Sequence, residues 1–229
     1  MSNIAYIHQN LNLHSSGYKI IENLDDYDGK LPASWASLFE HDDFPDKKQK
    51  LLAIWQPFEP HLFLTIKLIR DNLTNLYLVQ HRKDVFLLYV FDIDGDIVLY
   101  IGGLPLSFTN TTITKPRLPA DVYAFYNKVH NGWLEVPSMA LGFKPIEDIK
   151  FLDEWEWGIL DDVQITEFDI KLNETYAIFN NAASGYLCLK ENVPDPISDA
   201  VIWWADEKPD PGVNFWDVID SWIEIGITN

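Results

Sequence analysis

The spacing of apolar residues in the last third of the chain changes from a β period to a helical one. Thr175 to Phe179 and Tyr186 to Leu189 are short apolar runs of β type. Between them Asn180 to Gly185, a stretch of Asn, Ala, Ser and Gly, predicts a turn. A third run, Ala200 to Ala205, carries Trp203 and Trp204, which on a strand must face opposite sides. The acidic, Pro-rich stretch Asp206 to Gly212 reads as a loop. After it, Phe215, Val218, Ile219 and Trp222 fall on one helical stripe, with Asn214 as N-cap and Asp217 three residues on. Trp216 lies about 100° round the helix from Phe215. It is expected to be an exposed aromatic beside the acidic loop.

Earlier segments extend the pattern. Leu118-Pro119 starts a helix whose stripe is Val122, Phe125, Tyr126 and Val129, closed by Asn131-Gly132. Leu76 to Gln80, Val85 to Phe91 and Ile97 to Ile101 read as a β-meander, with Asp94-Gly95 as a tight hairpin turn. Leu62, Leu64, Ile66 and Leu68 alternate and favour a strand, although Leu62, Ile66, Ile69 and Leu73 also suit a helix. Leu31 to Phe39 and Lys47 to Trp55 predict short helices, the second with Leu51, Leu52 and Trp55 inward. The polar stretch Thr109 to Thr114 is the natural boundary. It divides a β-rich amino-terminal region, 1–115, from a carboxy-terminal domain, 116–229. The expected class is α+β, a mostly antiparallel sheet with packing helices.

The order from Pro116 to Ile227 is a Leu-Pro helix ending in Asn-Gly, strands with a Ser-Gly-Tyr-Leu-Cys-Leu run, a Trp-bearing strand, and a Phe-Trp to Trp-Ile helix. It resembles the SUKH superfamily, which groups fungal cell-wall-synthesis regulators with bacterial immunity proteins. About half the chain takes part. The resemblance implies an α+β fold, no catalytic residues and, in the bacterial members, neutralisation of a toxin by direct binding.

Charge sharpens this picture. Residues 118–229 hold 21 Asp and Glu against 6 Lys and no Arg, whereas residues 61–117 hold 5 acids against 6 bases. The acidic half is unsuited to nucleic acid, whose phosphates need clustered Lys and Arg. It suits a protein partner with a basic contact surface; the simpler reading is that acidity confers solubility. Cys188 is alone and sits in an apolar run, so a buried thiol is expected. The amino terminus lacks the basic and apolar regions of a signal peptide, and no run of about 18 apolar residues exists. A soluble, cytoplasmic protein is expected, with no membrane partner.

Candidate chemistry is sparse. Asp92-x-Asp94-Gly95-Asp96 opens like a calcium loop, but its sixth and twelfth positions are Ile97 and Gly103, so a turn is expected. The six His are scattered without zinc-hydrolase spacing. No catalytic residue, metal or cofactor is expected. Asp153-Glu154-Trp155-Glu156-Trp157 with Asp161-Asp162 is the one acidic and aromatic constellation. Its carboxylates would serve a glycosidase only if two of them faced each other across a cleft. As a contact surface its Trp edges, framed by carboxylates, suit a basic partner. As plain structure, Trp155 and Trp157 are core residues alternating on a strand. The expected partner-binding residues are Trp155, Glu156, Trp157, Asp161, Asp162, Asp206, Glu207, Asp210 and Trp216. The expected function is an immunity protein that occludes a cognate toxin. A regulatory scaffold and a carbohydrate-active enzyme are the alternatives.

Overall fold

Side chains that alternate along a strand must satisfy two faces of a sheet, and here both faces are covered for much of their length. The computed structural model describes residues 3–13, 17–21, 24, 27–41, 43–109, 116–158 and 170–228. In chain order the elements are α1 (Asn3–Leu11), β1 (Tyr18–Ile21), α2 (Ala33–Leu38), α3 (Phe44–Trp55), α4 (Phe63–Asn72), β2 (Leu73–His81), β3 (Asp84–Ile93), β4 (Asp96–Gly103) and α5 (Leu106–Thr109). There follow α6 (Ala120–Lys128), β5 (Trp133–Glu135), β6 (Gly142–Phe143), β7 (Lys150–Phe151), β8 (Thr175–Asn180), β9 (Gly185–Lys190), β10 (Ala200–Trp204), β11 (Asp210–Val213) and α7 (Phe215–Thr228). The fold is α+β with a mostly antiparallel sheet.

Ten strands follow one another in the order β1-β2-β3-β4-β5-β6-β8-β9-β10-β11, and β7 pairs with β8 beside this path. The sheet crosses from the first half of the chain to the second through β4 and β5, where Ile101 faces Leu134. The expected boundary falls mostly on residues 110–115, outside the described residues. The meander β2-β3-β4 stands as its pattern predicts. At its second turn Asp94 and Gly95 both have positive φ, 54° and 101°, and the Asp92 carboxylate accepts the Gly95 N–H at 2.8 Å. This is hairpin chemistry, which Gly adopts without a Cβ penalty.

One face of the sheet, the inner one, carries the main core. Leu76, Leu87, Tyr89 and Phe91 from the meander and Tyr176, Phe179, Leu187 and Leu189 from the second half pack there with Trp35, Trp55, Ile66, Phe125, Phe215 and Ile219 from the helices. On the outer face, Ile7 and Leu11 of α1 cover Val79, Leu88, Val90 and Leu99. Farther along that face Leu152 and Ile170 cover Ala177, Cys188, Val201 and Trp203. Thus α6 and α7 lie on the sheet that contains β8, β9 and β10, as their stripes predict. Asn214 caps α7, its Oδ1 accepting the N–H of Trp216 at 3.0 Å and of Asp217 at 3.2 Å. Gly132, with φ 79°, turns the chain after α6.

Two segments depart from their expected secondary structure. Residues 63–72 form the helix α4 rather than a strand. The 3.6-residue stripe wins because Leu62, Ile66, Ile69 and Leu73 are all buried, whereas Leu64 of the alternating set is not. The acidic loop is also shorter than its composition suggests. Asp210 to Val213 form the edge strand β11, paired with β10 through Ile202 and Asp210. An edge made of Asp, Pro and Gly discourages further strand addition.

Candidate functional site

The outer face of the second half of the sheet carries a group of partly exposed aromatics that includes the predicted contact segment. Tyr186 of β9 and Trp203 of β10 are Cα partners in the ladder, so their side chains stand together on one face. The chain returns to this face after β7 in a 3-10 turn, Leu152–Glu154. Phe151 N–H donates to the Glu154 carboxylate at 2.8 Å, which closes the turn locally. Leu152 is buried against Cys188 and Val201, and this anchor presents the next residues to the sheet. Trp155 packs on Trp157 (ring centroids 5.2 Å) and Tyr186 (5.6 Å). Trp157 packs on Tyr186 (5.4 Å) and Trp203 (5.5 Å). Trp157 Nε1 donates to Leu152 O at 2.7 Å, which fixes its ring.

Trp155 and Trp157 are therefore neither strand residues nor core residues. Both are half-buried in irregular backbone, while Trp203 is fully buried beneath them. Their chain neighbours Asp153, Glu154 and Glu156 are exposed. Asp161 and Asp162 lie outside the described residues. Sequence reasoning missed one member, Lys144. It follows β6, and because Phe143 points into the inner core, Lys144 points outward. Its ammonium lies over the Trp155 ring at 4.8 Å and the Tyr186 ring at 5.6 Å. Burial holds this amine below its usual range, with Asp148 opposing the shift. A two-residue strand has no periodicity to read, so only the partner strands reveal which way Lys144 faces.

The acidic loop approaches the same end of the sheet. Ala205 N–H donates to Ser184 O at 2.9 Å, tying the start of the loop to the β8–β9 turn next to Tyr186. Asp206 and Glu207 are exposed beyond that tie. Asp210 serves the fold, since its carboxylate accepts the Trp204 Nε1–H at 2.8 Å. Trp204 faces the inner side, toward Trp222 at 6.3 Å, so the adjacent Trp203 and Trp204 do serve opposite faces.

Trp216 does not belong to this surface. It is only 2% exposed and sits in the inner core, across the sheet from Trp155. Its indole N–H donates to Asp121 at 2.8 Å, and His61 stacks on it at 4.9 Å. The expectation of an exposed aromatic fails because elements distant in sequence, His61 and α6, close over the side of α7 that the stripe leaves open.

Several other groups suited to chemistry have structural partners. His130 is buried, with Nδ1 at 3.1 Å from Gly103 O and Nε2 at 2.6 Å from Tyr89 Oη. A carbonyl only accepts, so Nδ1 carries the proton and the Tyr89 hydroxyl donates to Nε2. Burial pushes the Cys188 thiol well up, as befits a packed, unreactive sulfur. A cleft of about 410 Å³ holds Asp153, Glu154 and Glu191. Two of these carboxylates already hold backbone N–H groups, Glu154 that of Phe151 and Glu191 that of Arg117 at 2.9 Å. Among the described residues no three His, Cys, Asp or Glu side chains gather in a way that would hold a metal ion. Among them, too, no helix is long and apolar enough to cross a membrane. No protein-family model, curated protein or solved structure matches the chain.

Proposed function

We propose that this chain is an immunity-type protein, one that binds a cognate toxin domain with a basic contact surface and blocks it by occlusion. The reading rests on the SUKH-like order of elements in residues 116–227. The observation that carries it is the half-buried pair Trp155 and Trp157, with the exposed acids Asp153, Glu154 and Glu156 as their neighbours along the chain. Asp206 and Glu207 stand at the same end of the sheet. Large aromatics held by packing lose little entropy on binding, and they dominate interface energies when carboxylates exclude the wrong partners around them. Seven of the nine Trp lie in residues 118–229, and of these the pair at 155 and 157 sits among exposed surface acids.

The test is co-expression with the product of the adjacent reading frame. The expected result is a stoichiometric complex and suppression of that product's toxicity, both lost on Trp155→Ala with Trp157→Ala. If toxicity is unaffected by the native chain and no complex forms, the reading is wrong.

A further inference from the structure

The geometry points to a cation-binding notch, formed by Trp155, Trp157 and Tyr186, that Lys144 fills in the free protein and that a guanidinium of the protein partner takes over on binding. This rests on the immunity reading for the nature of the partner. The three rings lie pairwise 5.2–5.6 Å apart, and the ammonium of Lys144 rests on two of them. Ring faces carry the negative part of the aromatic quadrupole and attract cations.

The position of Lys144 is unusual for this half of the chain, where acids outnumber lysines 21 to 6. Among the described residues no carboxylate lies within ion-pairing distance of its ammonium. The rings hold the charge at contact distance, and Asp148 acts on it from farther away. Its backbone is pinned on both sides: the N–H donates to Ile178 O at 2.9 Å, and the carbonyl accepts the Tyr126 hydroxyl at 2.8 Å. Only the flexible four-carbon stem is free to move. Swinging it outward returns a desolvated ammonium to water, so displacement costs little. A guanidinium is the better occupant. It is planar, more weakly hydrated and stacks on indole, and its fork of N–H donors suits the acidic character of this half of the chain.

The probe is an octa-arginine amide, titrated against the native chain and Lys144→Met, Lys144→Arg and Lys150→Met while Trp fluorescence is followed. Lys150 is an exposed cation whose field is felt at Lys144, so Lys150→Met removes the same charge without opening the notch. Lys144→Met should bind the peptide about three- to tenfold more tightly than Lys150→Met. The gap should persist at about 0.5 M salt, where long-range attraction is screened. It should vanish when Tyr186→Leu is added, and Lys144→Arg should show no gain. Equal affinities for Lys144→Met and Lys150→Met, or a gain that survives Tyr186→Leu, would overturn the notch. The native chain gives a second readout that needs no substitution. Saturation with octa-arginine should move the ε-methylene NMR signal of Lys144 out of its ring-current position, and an unmoved signal would overturn the proposal. Failure here with an intact toxin complex removes only the notch; failure of the complex removes the immunity reading.

Discussion

Asp220 on α7 and Thr65 on α4, 155 residues apart in the chain, form a cap between two helices. One oxygen of the Asp220 carboxylate accepts both the Thr65 N–H at 2.8 Å and the Thr65 hydroxyl at 2.7 Å, and the other accepts the Leu64 N–H at 2.8 Å. The N-cap residue of α4 is Leu62, which has no side-chain acceptor, so the first free N–H groups of the helix are satisfied from α7. Asp220 is 7% exposed, and its charge also meets the positive end of the α4 dipole.

Asp220→Ala should therefore destabilise the protein by about 3 kcal/mol, because it strands buried donors as well as removing bonds. Thr65→Val should cost about 1 kcal/mol, since both backbone donors keep their acceptor. Urea unfolding of the single and double variants measures this, and strong non-additivity is expected. A cost for Asp220→Ala below about 0.5 kcal/mol would mean that water replaces the cap.

His130 should make the fold acid-sensitive. Burial lowers its pKa to about 3, among the rings of Trp35, Trp55 and Tyr89. The folded value lies below the unfolded one, about 6.5, so the unfolded chain binds the proton first. The contribution of this group is fully present above about pH 6.5 and declines as pH falls toward 3, by roughly 4 kcal/mol at most. His130→Gln should be less stable at neutral pH but show a flatter profile over that window. Urea unfolding from pH 7 to pH 4 on both proteins tests this, with the carboxylate contributions cancelling in the difference. Parallel profiles would show that His130 titrates normally.

Gly102 should be intolerant of any side chain. A Cβ there would lie 2.6 Å from Cγ and Cε1 of the His130 ring, which Tyr89 and Gly103 hold in place. Gly102→Ala should cost about 2–3 kcal/mol in thermal or urea unfolding. Combined with His130→Ala it should cost much less than the sum of the two single changes, because the ring that blocks the methyl is gone. Additive costs would place the strain in the backbone instead.

Reversing the loop charges should act on association rate alone. Asp206→Lys with Glu207→Lys is the clean variant, since Asp210 also holds the Trp204 indole and its loss would disturb β11. With the adjacent-frame product as partner, association should slow about tenfold at low ionic strength and much less at high salt. Thermal melting should not change, because exposed charges contribute little to stability. An unchanged association rate at low salt would make the loop a solvated connector.

The sequence by itself determined the features set by neighbours in the chain. The Asp94-Gly95 turn, the Asn214 cap, the stripes of α6 and α7, and the opposite facing of Trp203 and Trp204 all follow from periods of two or 3.6 and from side chains that bond within a few residues. Tertiary structure decided the rest, and in each case the deciding group is distant. Residues 62–73 fit either period until Asp220 supplies a helix cap that the local sequence lacks. Trp216 looked exposed from its own helix until His61 and Asp121 closed over it. The segments 133–135, 142–143 and 150–151 are too short to show any alternation, and only pairing with neighbours makes them strands. The aromatic notch needs Lys144, Trp155 and Tyr186 brought onto one face by three different stretches of chain, a meeting that sheet order decides and local propensity does not encode.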